Sequence, residues 1–235
     1  MILHEANFAL PVGAAAPDPL EGESTGAFRP ADEVVVSRYA DGRTASKFGE
    51  LVWDMSPYSP DGRATYFYFG YWGDGQPTPA NVRLSREMRE IVVLLMWKRV
   101  GNPYSLTTLR SFVRLLWPIA EFAEEQDCSI AALLDDLPLL QEFVSRHPAR
   151  LSQLSSLLTA LAKIGPESCG FGVAGQAARA ALNKAVAPQK AKQHPPIPTR
   201  VYSHLLTQLA AELDDWHTVA ESFLDFALAC SKDRN

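Results

Sequence analysis

Ser105-Leu-Thr-Thr-Leu-Arg-Ser-Phe-Val-Arg-Leu-Leu-Trp-Pro-Ile-Ala120 is the stretch whose reading decides the fold. Ser105 is an N-cap, since its hydroxyl can accept from the free backbone N–H groups of the first turn. Leu109, Phe112, Val113, Leu116, Ala120 and Ala123 then recur at the 3.6-residue period of a helix with one buried face. Pro118 falls inside it and is expected to kink it, because proline lacks a donor and crowds the preceding turn. The opposite face carries Thr107, Arg110, Ser111 and Arg114. Short hydroxyls near a helix N-terminus and guanidiniums one turn apart suit the phosphates of a nucleic acid. The same pattern also fits an ordinary solvated face.

Outward from this helix the texture stays helical toward the C-terminus. Ser85 is read as the cap of a helix to about Arg99, ended by Gly101 and Pro103. Ser129 opens a short helix to about Leu137, Pro138 starts one to His147, and Ala149 to Ile164 forms an amphipathic segment ended by Gly165. Gln176 to Val186 is Ala-rich and helical in character. Pro188 to Pro198 holds four prolines and two lysines, a stiff linker. Thr199 caps a last long helix, Arg200 to about Ser231. Toward the N-terminus, Pro, Gly, Asp and Ala dominate up to Pro30, as in a weakly ordered arm. Val34 to Tyr39 and Thr65 to Trp72 read as short strands, with Gly49 to Asp54 between them. The expected class is mainly α: a helical bundle preceded by a small irregular or β-containing region. The expected division is 1–80, 81–187, a 188–198 linker and 199–235.

The chain has 235 residues, 47% apolar composition and a net charge of −5, which suits a folded domain and excludes a uniformly basic one. The charge is unevenly placed. Residues 1–80 carry 5 basic and 11 acidic side chains, while 161–200 carry 6 basic and 1 acidic. Cys128, Cys169 and Cys230 are too far apart for a CxxC, and an odd count argues against a disulfide framework. Met1 to Ala16 contains no Lys or Arg, and the apolar run Ile91 to Trp97 is far short of the roughly 20 residues of a membrane span. A soluble, cytoplasmic protein with no cofactor is expected.

Ser105, Thr108, Phe112 and Leu116 match, in order, a helix of the phage-integrase or tyrosine-recombinase family, where Phe112 replaces the commoner Tyr and Ile119 the usual Phe. The chain resembles the N-terminal core-binding domain of that family, a SAM-like bundle. The helix after Ser129 and the Leu-rich helix to Ile164 match the elements that would follow. His194-Pro-Pro-Ile-Pro-Thr199 is similar to the linker into a catalytic domain, and Trp53-Asp54 with Ile197 to Leu206 is similar to large integrases of bacterial mobile elements. The resemblance implies a part in DNA integration and recombination, with double-stranded DNA of an attachment site as partner. The family's catalytic Arg, Lys, His-x-x-Arg and Tyr lie beyond the linker. The stretch after Pro198 is too short to hold them, so the chain as given is expected to bind DNA without cutting it. Thr107, Thr108, Arg110, Ser111, Arg114, Lys163, Arg179, Lys184, Lys190, Lys192 and Arg200 are the expected DNA-contacting residues. In the family, bundle and linker form half of a clamp on the duplex, which gives the basic run a phosphate-binding role.

Other signals point away from chemistry. His147-Pro-Ala-Arg150 fits His-x-x-Arg only by letter and reads as a helix end. Gly170-Phe-Gly172-Val-Ala-Gly175 fits G-x-G-x-x-G but follows a helix rather than a strand, and no acid lies about 20 residues on. It reads as an interhelical turn. His4, His147, His194, His204 and His217 have no zinc-like spacing, and Asp135-Asp136 and Asp214-Asp215 point in different directions. Tyr66, Phe67, Tyr68, Phe69, Tyr71 and Trp72 either stack bases or form a local core, and core is the expectation. The competing function is a helical protein-interaction module. Leu205, Leu206, Leu209, Leu213, Trp216, Val219, Phe223 and Phe226 form a stripe on the last helix suited to self-association.

Overall fold

The computed structural model describes residues 2–22, 29–175, 180, 182 and 199–232. The chain divides into two compact units, Met1–Ala187 and Pro188–Asn235. It is mainly helical, with paired short strands confined to its N-terminal region.

In the first unit, β1 (Ile2–His4) pairs antiparallel with β2 (Leu20–Gly22), β3 (Val35–Arg38) with β4 (Thr44–Lys47), and β5 (Val52–Asp54) with β6 (Tyr66–Tyr68). The helices that follow are α1 (Pro79–Trp97), α2 (Leu106–Glu125), α3 (Ile130–Asp135), α4 (Leu137–Arg146), α5 (Leu151–Ile164) and α6 (Pro166–Cys169). Ser105 caps α2 and Ser129 caps α3, each accepting from the backbone N–H three residues on, as their spacing predicted. Pro118 lies within α2, which runs unbroken through it to Glu125. Asp136 caps α4 in the same way, and a 3₁₀ turn over Pro148–Arg150 precedes α5.

The start of α1 corrects the sequence reading. Thr78, not Ser85, is the cap: its hydroxyl accepts from the N–H of Asn81, the Asn81 side chain accepts from the N–H of Thr78, and Pro79 takes the first helical position. Ser85 sits a full turn and a half inside, completely buried, with no partner for its hydroxyl among the described residues. Its place on the face shared with Leu84, Met88, Ile91, Val92 and Leu95 makes α1 the centre of the core. Its last seven residues, Ile91 to Trp97, are all buried.

The N-terminal stretch is bound into that core rather than hanging as a loose arm. The N–H of Asn7 donates to the carbonyl of Met96 at 2.6 Å, and that of Ala9 to Tyr104 at 2.9 Å. Phe8 is buried and meets the Tyr58 ring edge-on at 5.3 Å. The indole N–H of Trp97 donates to the carbonyl of Asp18, whose carboxylate pairs with Arg38. These bonds satisfy backbone groups of a Pro- and Gly-rich segment that forms little regular structure of its own. One apolar core, from Phe8 and Leu20 through Trp53 and Phe69 to Leu158 and Leu161, crosses position 80 without a break.

Arg89 locks strands to helix. It is 6% exposed, and its guanidinium donates to the carbonyls of Phe48 at 3.0 Å and Gly49 at 2.5 Å while lying 5.4 Å over the Phe48 ring. Burial, with the Arg86 charge adding to it, pulls its pKa down from the ordinary arginine value, against the opposing charges of Asp32 and Glu90. Gly49 fits here because a Cβ would lie 2.8 Å from that of Asp32.

The second unit contains α7 (Thr199–Lys232), a single helix. Leu205, Leu206, Leu209, Leu213, Trp216, Val219, Phe223 and Phe226 are all exposed on it. Among the described residues no helix is long and apolar enough to cross a membrane. Gln176 to Val186 and the Pro188 to Pro198 stretch lie outside the described residues, apart from helical backbone at 180 and 182.

Candidate nucleic-acid interface

The polar face of α2 stands opposite the β5–β6 hairpin, and the space between them is the candidate site. In α2 the buried positions Leu109, Phe112, Val113 and Leu116 turn Arg110 and Arg114 outward, one helical turn apart. In β6 the pleat sends Phe67 inward and leaves Tyr66 and Tyr68 39% and 50% exposed. Their rings stand 6.2 Å apart beside the two arginines. Together with Val113, Trp117 and Arg150 they line an open cavity of about 500 Å³. A second cavity of about 460 Å³ shares Arg110 and adds Thr107 and Arg63.

The electrostatics of this groove are one-sided. Among the described residues no acidic side chain lines the first cavity, and neither Arg110 nor Arg114 forms an ion pair. Arg150 donates to the side-chain oxygen of Gln153 at 3.2 Å, a neutral partner that leaves its charge uncompensated. In the second cavity Arg63 pairs with Asp61 at 3.2 Å, with both side chains well exposed. The aromatic wall is anchored: the indole N–H of Trp117 donates to the carbonyl of Tyr68 at 2.7 Å, tying helix to strand.

The expected contact residues are distributed unevenly. Arg110 and Arg114 line the first cavity, and Thr107 lines the second with Arg110. The Thr108 hydroxyl lies 2.9 Å from that of Ser105, within the cap, and Ser111 is half-buried on α2. Lys163 is exposed in the last turn of α5. Arg179, Lys184, Lys190 and Lys192 lie outside the described residues. Arg200 is exposed on the first turn of α7, in the second unit.

Sequence reasoning missed Arg63, Tyr66, Tyr68, Trp117 and Arg150. The aromatic run divides by its alternation: Phe67, Phe69 and Tyr71 are buried as core, while Tyr66 and Tyr68 face out. Arg150 was visible only as the end of His147-Pro-Ala-Arg150. There His147 packs its ring on Phe143 at 4.9 Å, and the arginine alone turns to the groove.

Two other places gather polar groups without forming a site. Gly170, at φ 74°, closes α6, the N–H of Ala174 donates to the carbonyl of Leu134, and Gly172 packs so closely that a Cβ would lie 2.7 Å from the Asp135 carboxylate. A carboxylate beside that turn opposes a phosphate. Glu87, Glu90, Arg29 and Cys169 border a cleft of about 200 Å³. Burial raises both carboxyls above their ordinary range and pushes the Cys169 thiol up to about 11, so the thiol is held in its unreactive form. Glu87 is occupied in accepting from the N–H of Ile130 at 2.7 Å. Among the described residues no group of three His, Cys, Asp or Glu could hold a metal. Comparison with protein-family models, curated proteins and solved structures yields no match.

Proposed function

We propose that this chain is the DNA-binding N-terminal region of a tyrosine-type site-specific recombinase, with its helices forming the SAM-like core-binding bundle and no cleavage chemistry of its own. The observation that carries the reading is the meeting of Arg110, Arg114 and Arg150 on one concave surface that, among the described residues, no carboxylate lines. Each guanidinium can fork onto a phosphate, and each phosphate neutralised releases condensed counterions. The helix pattern from Ser105 to Leu116 supports the family assignment.

The test is a salt titration of the full chain against duplex DNA of the element's attachment site. Binding is expected to weaken steeply with salt, with log K falling about 0.9 per phosphate contact for each unit of log salt. The double substitution Arg110→Ala/Arg114→Ala is expected to lower that slope by about 2 and to weaken binding regardless of DNA sequence. No affinity for any duplex at low salt removes the proposal.

The exposed stripe on α7 favours a second reading, a protein-interaction module that self-associates. Sedimentation separates the two: a concentration-dependent dimer without DNA affinity selects the module.

A further inference from the structure

We infer that the cavity between β6 and α2 holds one unstacked nucleotide of the bound DNA, its base on Tyr66 and Tyr68 and its phosphates on Arg110, Arg114 and Arg150. This deepens the DNA-binding reading and rests on it.

Phosphate attraction alone explains the arginines but not the aromatics beside them. Tyrosines on the exposed face of a strand, half open to water, leave apolar ring surface uncovered. That cost is offset when a flat partner covers it. In an intact duplex the flat faces of the bases are covered by their neighbours, so only an unpaired, terminal or extruded base can supply such a partner. The cavity volume, about 500 Å³, falls in the range of small-molecule sites. Its lining divides the same way as a nucleotide does. Tyr66, Tyr68, Val113 and Trp117 present flat or apolar surface, and the three arginines present cationic forks with no competing carboxylate. The Trp117 bond to the Tyr68 carbonyl fixes the aromatic wall, which limits the ordering cost when a base enters.

The experiment uses the full chain and three probes: an intact duplex, the same duplex with one extra unpaired 2-aminopurine nucleotide, and free 2-aminopurine deoxynucleoside monophosphate. Stacking on a tyrosine quenches 2-aminopurine fluorescence, so the probe reports the contact as well as the affinity. The unpaired nucleotide is expected to tighten binding about tenfold over the intact duplex and to be quenched on binding. Tyr66→Ala/Tyr68→Ala is expected to abolish the quenching and to bring the ratio of the two duplex affinities, measured on the same variant, to about one. Tyr66→Phe/Tyr68→Phe, which keeps the rings, is expected to retain the quenching and the preference for the unpaired nucleotide. Equal affinity for the two duplexes, or a gain that survives the alanine substitutions, overturns the inference and leaves duplex binding standing. Free nucleotide bound as tightly as the duplex carrying the unpaired one also overturns it, because the site then serves a small molecule. If neither duplex binds, the DNA-binding reading itself fails and this inference with it.

Discussion

At the scale of single residues, the buried polar groups of this chain are concentrated where elements must be held in register. Tyr71 donates to the Glu124 carboxylate at 3.0 Å and accepts from the side-chain amide of Asn81 at 3.0 Å, and that amide also reaches Glu124 at 2.7 Å. Three elements are joined by one triangle: the segment after β6, the first turn of α1 and the end of α2. Burial pushes the Tyr71 phenol up to about 12, against a usual value near 10, with the Glu124 charge adding to the effect. The folded chain therefore keeps this proton more tightly than the unfolded chain. The stability it contributes is complete below about pH 10 and is lost as pH climbs toward about 12. Urea unfolding followed from pH 8 upward is expected to show that loss. Tyr71→Phe is expected to cost about 1–2 kcal/mol near neutrality and to flatten the alkaline decline. Equal alkaline slopes in the two proteins would rule out the assignment.

At the scale of elements, α1 separates what a local pattern tells from what packing decides. In a linear reading Ser85 precedes a helical run and serves as its cap, whereas the helix starts earlier, at Thr78. Thr78 prevails because Pro79 is preorganised for the first turn and Asn81 returns the cap bond. Ser85 is then carried onto the buried face with its hydroxyl unpaired. The two substitutions should act in opposite directions. Thr78→Ala is expected to destabilise by about 1 kcal/mol through loss of the cap. Ser85→Ala is expected to be neutral or stabilising by about 1 kcal/mol, since it removes a desolvated polar group. Denaturant midpoints of the two variants check the pair, and a Ser85→Ala loss as large as that of Thr78→Ala contradicts the observed start of α1.

For the whole molecule, the decisive feature is that strands and helices share one core within the first unit. Phe8 lies in a segment whose composition reads as a loose arm, yet it is buried between Tyr58 and the backbone around Tyr104. Phe8→Ala is expected to cost about 3–5 kcal/mol, the penalty of emptying a core site, and to lower the unfolding midpoint followed by tryptophan fluorescence. A variant as stable as the parent would return residues 2–22 to the status of an appendage. The same shared core positions the candidate site. Without the β5–β6 hairpin docked beside α2, Arg110 and Arg114 would be two charges on an open face, and with it they border a cavity that also gathers Arg150 and two tyrosines.

The sequence by itself determined the helical class and the capped start of α2, along with the inward face of Leu109, Phe112 and Leu116. It also put Arg110 and Arg114 on a common face, because caps and 3.6-residue periodicity are local properties written in neighbouring side chains. Tertiary packing alone decided that Phe8 and Leu20 belong to the core, that Ser85 is interior, and that Tyr66, Tyr68 and Arg150 come to the arginines of α2. Those are contacts between segments tens of residues apart, fixed by which surfaces exclude water together and not by any pattern within one segment.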